Sequence, residues 1–211
     1  GVVSITLFDV PVDIEPVIEI INNQEQVLQA IHGGFGEDIK LQFKMCEASS
    51  FFFRIKDRFD NHQSVDFYNL RVSLDSADSY ECNDDFNNAT VIELDNTVQG
   101  QIYSQRDEDF YKVSLPLPKK GTITVELSDV PNLIEPSLDM YDSEFNILER
   151  VSGMGGQPLT IRYKDCNYRG NYYFRIKDRF DANQSADLYK FRVSFNAEDS
   201  HECNDDFSTA T

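Results

Sequence analysis

Two stretches of this chain are nearly the same stretch. The octapeptide Phe-Arg-Ile-Lys-Asp-Arg-Phe-Asp that runs from Phe53 to Asp60 returns unchanged at Phe174 to Asp181, 121 residues on. Glu81-Cys-Asn-Asp-Asp-Phe86 returns as Glu202 to Phe207 at the same spacing. Between 53–90 and 174–211, 25 of 38 positions are identical. Upstream the match is looser and the shift is 120: Asp9-Val-Pro11 meets Asp129-Val-Pro131, and Ile14-Glu-Pro16 meets Ile134-Glu-Pro136. A unit of this length is a whole domain and not a solenoid turn. Any fold for the chain must therefore be one that is built twice.

The phase of the repeat divides the chain. Gly1 aligns with Gly121, so the first copy has no counterpart of 91–120. The expected organisation is a partial unit over 1–79, a complete unit over 80–200, and the start of a further repeat or a linker over 201–211. The chain reads as a segment of a longer array. A partial unit needs its missing strands covered, and a neighbouring repeat or an identical chain is expected to do this by strand addition.

Hydrophobic residues alternate with polar ones at period two, the signature of a half-buried strand. Ile123, Val125 and Leu127 do so, as do Leu159, Ile161 and Tyr163, and Tyr172, Phe174 and Ile176. Tyr189, Phe191, Val193 and Phe195 form the cleanest run, echoed by Tyr68, Leu70, Val72 and Leu74. Turn-forming clusters separate the runs, and no long amphipathic helix is legible, although a short helical turn fits Asp85–Ala89. The expected fold class is all-β, an antiparallel jelly-roll-like β-sandwich in tandem.

Charge narrows the partners. Thirty-seven acidic against 19 basic residues give a net charge of −18. A nucleic-acid partner needs a basic face, and so does an anionic membrane surface. No apolar run is long enough to span a membrane. Cations are the natural counterpart.

Four cysteines, Cys46, Cys82, Cys166 and Cys203, pair off by repeat position. An even count in an acidic β-rich chain points to disulfides and an oxidising compartment. Repeat symmetry favours Cys46–Cys82 with Cys166–Cys203; Cys82–Cys166 is the rival. Zinc is disfavoured, since there is no close Cys-x-x-Cys pair and no repeated His.

Two acidic segments are candidates for metal binding. One is Glu81-Cys-Asn83-Asp84-Asp85, with its copy at Glu202, Asn204 and Asp205. The other is Asp107-Glu108-Asp109 before the strand that begins at Phe110. Calcium takes six to eight hard oxygen ligands, which carboxylates and Asn carbonyls supply. The same residue types also serve as turn and cap residues on a solvated edge, and both readings stand. The mixed-sign segment Lys56–Asp60 and its copy Lys177–Asp181 read as a salt-bridged turn, with a recognition loop as the alternative. Asn88-Ala-Thr90 and Asn183-Gln-Ser185 fit the N-glycosylation triplet.

The order of motifs over 80–196 resembles the bacterial pre-peptidase C-terminal domain. The residues are Glu81-Cys82-Asn83-Asp84 with Ala89, Gly100-Gln-Ile102, Asp107-Glu-Asp109-Phe110-Tyr111, Leu138-Asp-Met-Tyr-Asp142, Gly170-Asn-Tyr-Tyr-Phe-Arg-Ile176 and Tyr189-Lys-Phe-Arg-Val193. The resemblance implies a jelly-roll-like sandwich, and a likeness to the collagen-binding modules of collagenases, with calcium beside the N-terminal linker. It implies Glu81, Asn83, Asp84, Asp107 and Asp109 as ligands. Cys82 stands where the family has Pro, and implies a linker anchored by a disulfide.

Catalysis is not expected. His32, His62 and His201 fall opposite Ser152, Asn183 and Tyr80, so the two copies share no histidine. Paired cysteines supply no thiol nucleophile. The carboxylates at 107 and 109 suit ligation or a turn better than acid–base work. The expectation is an extracellular, cell-surface repeat module of a stalk, adhesin or filament, stiffened by calcium and disulfides. The alternative is an accessory module of a secreted hydrolase that binds a polymer such as collagen or polysaccharide.

Overall fold

Alternating apolar residues build fifteen strands among the residues described, which in this computed structural model are 1–46, 50–75, 80–104, 106–115, 120–166 and 170–197. The chain separates into two compact units, Gly1–Ala77 and Asp78–Thr211. The first unit contains β1 (Val2–Phe8), β2 (Pro16–Ile21), β3 (Val27–His32), β4 (Ile39–Lys44), β5 (Phe52–Asp57) and β6 (Asn69–Asp75). The second contains β7 (Thr90–Val91), β8 (Thr97–Gly100), β9 (Glu108–Ser114), β10 (Gly121–Ser128), β11 (Pro136–Tyr141), β12 (Ile147–Ser152), β13 (Leu159–Asp165), β14 (Asn171–Asp178) and β15 (Tyr189–Ala197).

The second unit is an antiparallel sandwich. One sheet runs β13-β10-β15-β8 and the other runs β12-β11-β14-β9-β7. The short β7 pairs parallel to β9, and every other pair is antiparallel. Strands cross repeatedly between the sheets, as in a jelly roll. The core takes Ile123, Val125, Leu127, Phe191 and Val193 from the first sheet, and Tyr111, Leu138, Met140, Phe174 and Ile176 from the second. Tyr111 stacks on Phe191 with ring centroids 4.9 Å apart, and Phe191 meets Phe174 at 5.6 Å. Such ring pairs add to the area-driven gain of burying large side chains.

The first unit repeats this plan strand for strand. Its sheets are β4-β1-β6 and β3-β2-β5, the same order as β13-β10-β15 and β12-β11-β14. Registers agree as well: Val3 faces Phe43 and Leu74, as Ile123 faces Tyr163 and Phe195. A register shift falls between Ile20 and Ile21 and again between Met140 and Tyr141. Asp9 and Asp129 both take positive φ in the turns after β1 and β10. The first core is smaller and centres on Ile5, Leu7, Ile18, Ile20 and Leu41. Among the described residues, the first unit contains no strands matching β7, β8 and β9.

The repeated Lys-Asp-Arg-Phe-Asp segment ends β5 and β14, and its first Asp organises the following loop. Asp178 is buried and accepts from the backbone N–H groups of Glu135 (3.0 Å), Ala182 (3.0 Å) and Asn183 (3.2 Å), and from Asn183 Nδ2 (3.3 Å). Asp57 accepts from the N–H groups of Glu15, Phe59 and Asn61 in the same manner. The salt-bridged turn is present in the second copy, where Lys177 Nζ lies 2.8 Å from Asp181. The loop also presents an exposed aromatic in both copies: Arg58 lies over Phe59 and Arg179 over Phe180, at 5.1 and 5.0 Å.

Residues 85–88 form a bend and not a helical turn. Asp85 Oδ1 accepts from the N–H groups of Asn87 (2.7 Å) and Asn88 (2.9 Å), which satisfies the backbone locally. Among the described residues no helix is long and apolar enough to cross a membrane.

Burial raises the proton affinity of the Asp178 carboxyl, but the N–H groups of Ala182, Glu135 and Asn183 outweigh it, and the net shift is below the ordinary 3.8. A depressed folded pKa contributes stability that is present above the unfolded value and lost as pH falls through the folded one. Asp178→Ala should therefore cost about 2–3 kcal/mol at pH 7. In urea titrations from pH 7 to pH 2 that difference between wild type and variant should shrink only below pH 4. A difference constant down to pH 2 would refute the charge-assisted cap.

Candidate metal site at the opening of the second unit

The segment that opens the second unit lies along the start of β9. Asn83 is fully buried there. Its carbonyl accepts from Phe110 N–H at 2.8 Å, and its Nδ2 donates to Phe110 O at 3.3 Å. This two-way pairing holds residues 81–84 beside 107–110. Phe86, three residues on, inserts among Phe110, Tyr141, Phe145 and Tyr173, with ring centroids 4.4–5.7 Å away. Phe110, Tyr141 and Tyr173 are buried as a result, although they alternate away from the sandwich core. Aromatic residues here do not all point inward, because the opening segment supplies a second apolar layer.

The docking gathers carboxylates. Oxygens of Glu81, Asp84 and Asp107 all lie within 4.8 Å of one another. Asp107 is buried, and its Oδ2 accepts from Tyr103 N–H at 2.8 Å, which fixes it in the tight turn before β9. Three carboxylates at such separations repel one another, and a bound cation offsets that repulsion. Asn83, between Glu81 and Asp84 in sequence, has its Oδ1 buried with no hydrogen-bond partner among the described residues, so an acceptor in the same segment is open to a ligand. The donor set is all oxygen, which suits calcium and not zinc or copper.

Asp109 stands two residues beyond Asp107, in β9. It is fully buried, and its Oδ2 accepts from Tyr189 Oη at 2.6 Å. Tyr189 Oη and Tyr111 Oη are themselves 2.8 Å apart. Burial, then the neighbouring Asp109 charge, pushes the Tyr189 phenol well above its usual range. Asp109 is thereby tied to the sandwich interior, while Glu81, Asp84 and Asp107 converge at its end. Gly100 on β8 leaves room for this pair of phenols: a Cβ there would overlap both hydroxyls. Gly100 was legible as a motif residue, but the role of Tyr189 was not, since it depends on a contact 80 residues away in sequence.

A second polar cluster also escaped the sequence. Asp139 on β11 is buried and held by Arg150 Nε (2.7 Å), Arg175 Nη2 (2.6 Å) and the Tyr141 hydroxyl (3.0 Å). Burial raises its pKa, and the two guanidiniums bring it below the usual carboxylate value. Arg175 and Lys177 also reach Glu108 on β9, at 3.4 and 3.5 Å.

Of the remaining expected site residues, Glu202, Asn204, Asp205 and Cys203 lie outside the described residues. Cys46, Cys82 and Cys166 are each disulfide-bonded. Disulfides of this kind fit an oxidising, non-cytoplasmic compartment. Asn88 is exposed, whereas the Asn183 amide is turned toward Asp178.

No family model matches the sequence, and no curated protein matches it. Solved structures give weak likenesses. The pre-peptidase C-terminal domain of a collagenase from Bacillus anthracis is 16% identical, with a TM-score of 0.39, over 50% of this chain and 94% of that one. The CUB1-EGF-CUB2 region of human MASP-1/3 is 9% identical, with a TM-score of 0.33, over 91% of this chain and 89% of that one. The carbohydrate-binding module CBM36, in complex with calcium and xylotriose, is 10% identical, with a TM-score of 0.28, over 48% and 90%. At these scores the likenesses carry no argument, and any functional reading rests on the residues of this chain.

Gly100→Ala should cost the second unit about 1–3 kcal/mol through overpacking against the two phenols. Tyr189→Phe, which removes a donor and adds no volume, should cost about 1–2 kcal/mol. In the double variant the two losses should fall short of additive, because both act on one contact. Full additivity in urea denaturation would show that Gly100 and Tyr189 act separately.

Proposed function

We propose that this chain is a non-catalytic extracellular repeat module of a surface stalk, adhesin or filament, and that calcium and disulfides stiffen it. The observation that carries the reading is the convergence of Glu81, Asp84 and Asp107, with the buried, unpartnered Asn83 Oδ1 in the same segment as Glu81 and Asp84. Glu81, Asn83, Asp84 and Asp107 would hold the ion, with Asp109 as a further ligand or as the anchor of the strand that carries Asp107. Calcium would supply charge neutralisation and a cross-link between the opening segment and β9. That cross-link restrains the segment through which one repeat continues into the next, which is what a load-bearing or spacing module needs. The favoured disulfides, Cys46–Cys82 and Cys166–Cys203, belong to the same reading, since each would bind a strand end of one repeat to the opening of the next.

One observation favours a polymer-binding role instead. The Arg-Phe pair is presented with the same stacking in both copies, and Phe59 and Phe180 are exposed to a similar degree. Such a repeated pair suits avid binding to a repetitive polymer such as collagen or polysaccharide. The Asp57 and Asp178 caps give it an adequate structural explanation as a loop, so the stalk reading is preferred.

Calcium should raise the thermal midpoint of the oxidised chain by several degrees over chelator, as RT ln(1 + [L]/Kd) requires of a ligand bound only by the folded state. Asp84→Asn with Asp107→Asn should abolish the rise while leaving the chelated protein folded. An unchanged midpoint in wild type would reduce the cluster to a solvated turn. Proteolytic mapping of the unreduced chain should recover Cys46 joined to Cys82 and Cys166 joined to Cys203, and a Cys82–Cys166 peptide would overturn that pairing.

A further inference from the structure

The segment that carries Glu81, Asn83 and Asp84 has a cysteine at its centre. Cys82 is half-buried and disulfide-bonded. Its sulfur and an Asp84 carboxylate oxygen lie within 4.8 Å of each other. Oxygens of Glu81, Asp84 and Asp107 are gathered within the same distance, so Asp84 stands next to the disulfide and belongs to the carboxylate cluster. The copy Glu202-Cys203-Asn204-Asp205 repeats the residue order, although it lies outside the described residues.

The position of Cys82 in the segment matters. Residues 81–84 belong to no strand, so no sheet ladder fixes their backbone. The pairing with Phe110 acts at Asn83, and the aromatic contacts act at Phe86. The bond at Cys82 acts between Glu81 and Asn83. An ion that draws Glu81 and Asp84 together must overcome their repulsion, and a loose segment also loses conformational entropy when the ion orders it. A covalent tie inside the segment removes part of that loss before the ion arrives. Asn83 is a second sign that a ligand belongs here, because its side chain is fully buried and its Oδ1 has no partner among the described residues.

We propose that the disulfide at Cys82 and the cation site of Glu81, Asp84 and Asp107 are linked, so that the oxidised segment binds calcium and the reduced segment releases it. Cys82 is a positioning residue: calcium takes oxygen ligands, and the sulfur acts through the residues on either side of it. Reduction by a dithiol delivers two electrons and two protons to the bond, yields two cysteine thiols and leaves the dithiol as its cyclic disulfide. Linkage is reciprocal, so calcium favours the oxidised form by the factor by which oxidation favours calcium. A module of this kind stiffens in oxidising surroundings and loosens where a dithiol reaches it. The inference rests on the calcium reading and adds the regulation of that site.

The test titrates calcium into the whole chain by calorimetry, once oxidised and once held reduced in dithiothreitol. The site in question is the one that Asp84→Asn with Asp107→Asn removes. Reduction should weaken it about tenfold, within the ~5–150-fold range of such couplings. Amide exchange in β10 and β15 checks that the reduced chain keeps its core. Where that protection is lost, Cys82→Ser under oxidising conditions carries the comparison and should weaken binding equally. In a fixed dithiol–disulfide buffer, thiol trapping should find Cys82 about tenfold further toward the oxidised form with calcium than with chelator. Asp84→Asn with Asp107→Asn should erase that difference. Equal calcium affinity in the two redox states, or a redox equilibrium at Cys82 that ignores calcium, would overturn the proposal and leave the calcium reading standing. No calcium binding by the oxidised chain would overturn both.

Discussion

A two-sheet sandwich is stable only when both inner faces are covered, and here one segment decides whether they are. In the second unit, β8 and β9 complete the two sheets on the same side of the molecule. They bring Val98, Ile102, Tyr111 and Val113 into the core. Phe191 and Val193 are buried because of them, and the same positions in the first unit are open. The cost of that coverage is polar. Tyr189 and Asp109 are fully enclosed, and they are tolerable only because the phenol donates to the carboxylate at 2.6 Å. The covering segment thus brings its own hydrogen-bond partner, and Gly100 keeps the space that the partner requires.

The candidate metal site depends on the same segment. Asp107 stands at its turn into β9, and Asn83 clips the opening residues onto β9 through Phe110. Phe86 then fixes the clip by burying Phe110 and Tyr173 from outside. Seating β9, closing the core and gathering carboxylates are one structural event. A ligand at Glu81, Asp84 and Asp107 would therefore act on the stability of the whole unit and not on a loop. That coupling is what makes a calcium effect on unfolding a meaningful readout of the site.

Much of this was legible in the residues. The 121-residue repeat imposed two copies of one fold, and period-two runs such as Tyr189-x-Phe191-x-Val193 placed strands and their inner faces. The acidic segments were legible as donors because Glu, Asp and Asn are the residue types that calcium takes. Their convergence was implied by the family resemblance alone and not by spacing, since Glu81 and Asp107 are far apart in sequence and meet only when the opening segment docks on β9. Asp178 was read inside a mixed-sign turn, and charge alone hid its work. Its partners are backbone N–H groups of Glu135, Ala182 and Asn183, which no side-chain pattern announces. Outward aromatic residues were missed for a similar reason: Phe110 and Tyr173 look like misplaced core until Phe86 covers them.

The two copies serve as each other's control. Glu19 in the first unit binds Arg54, as Asp139 in the second binds Arg175, so that ion pair forms whether or not β9 is present. The burial of Tyr189, by contrast, has no equivalent at Tyr68, so it does depend on the covering segment. Features common to both units, such as the Asp57 and Asp178 caps, belong to the six-strand plan itself. Features found only in the second, such as the Asp109–Tyr189 bond and the Glu108 contacts, belong to the interface between that plan and the segment that completes it.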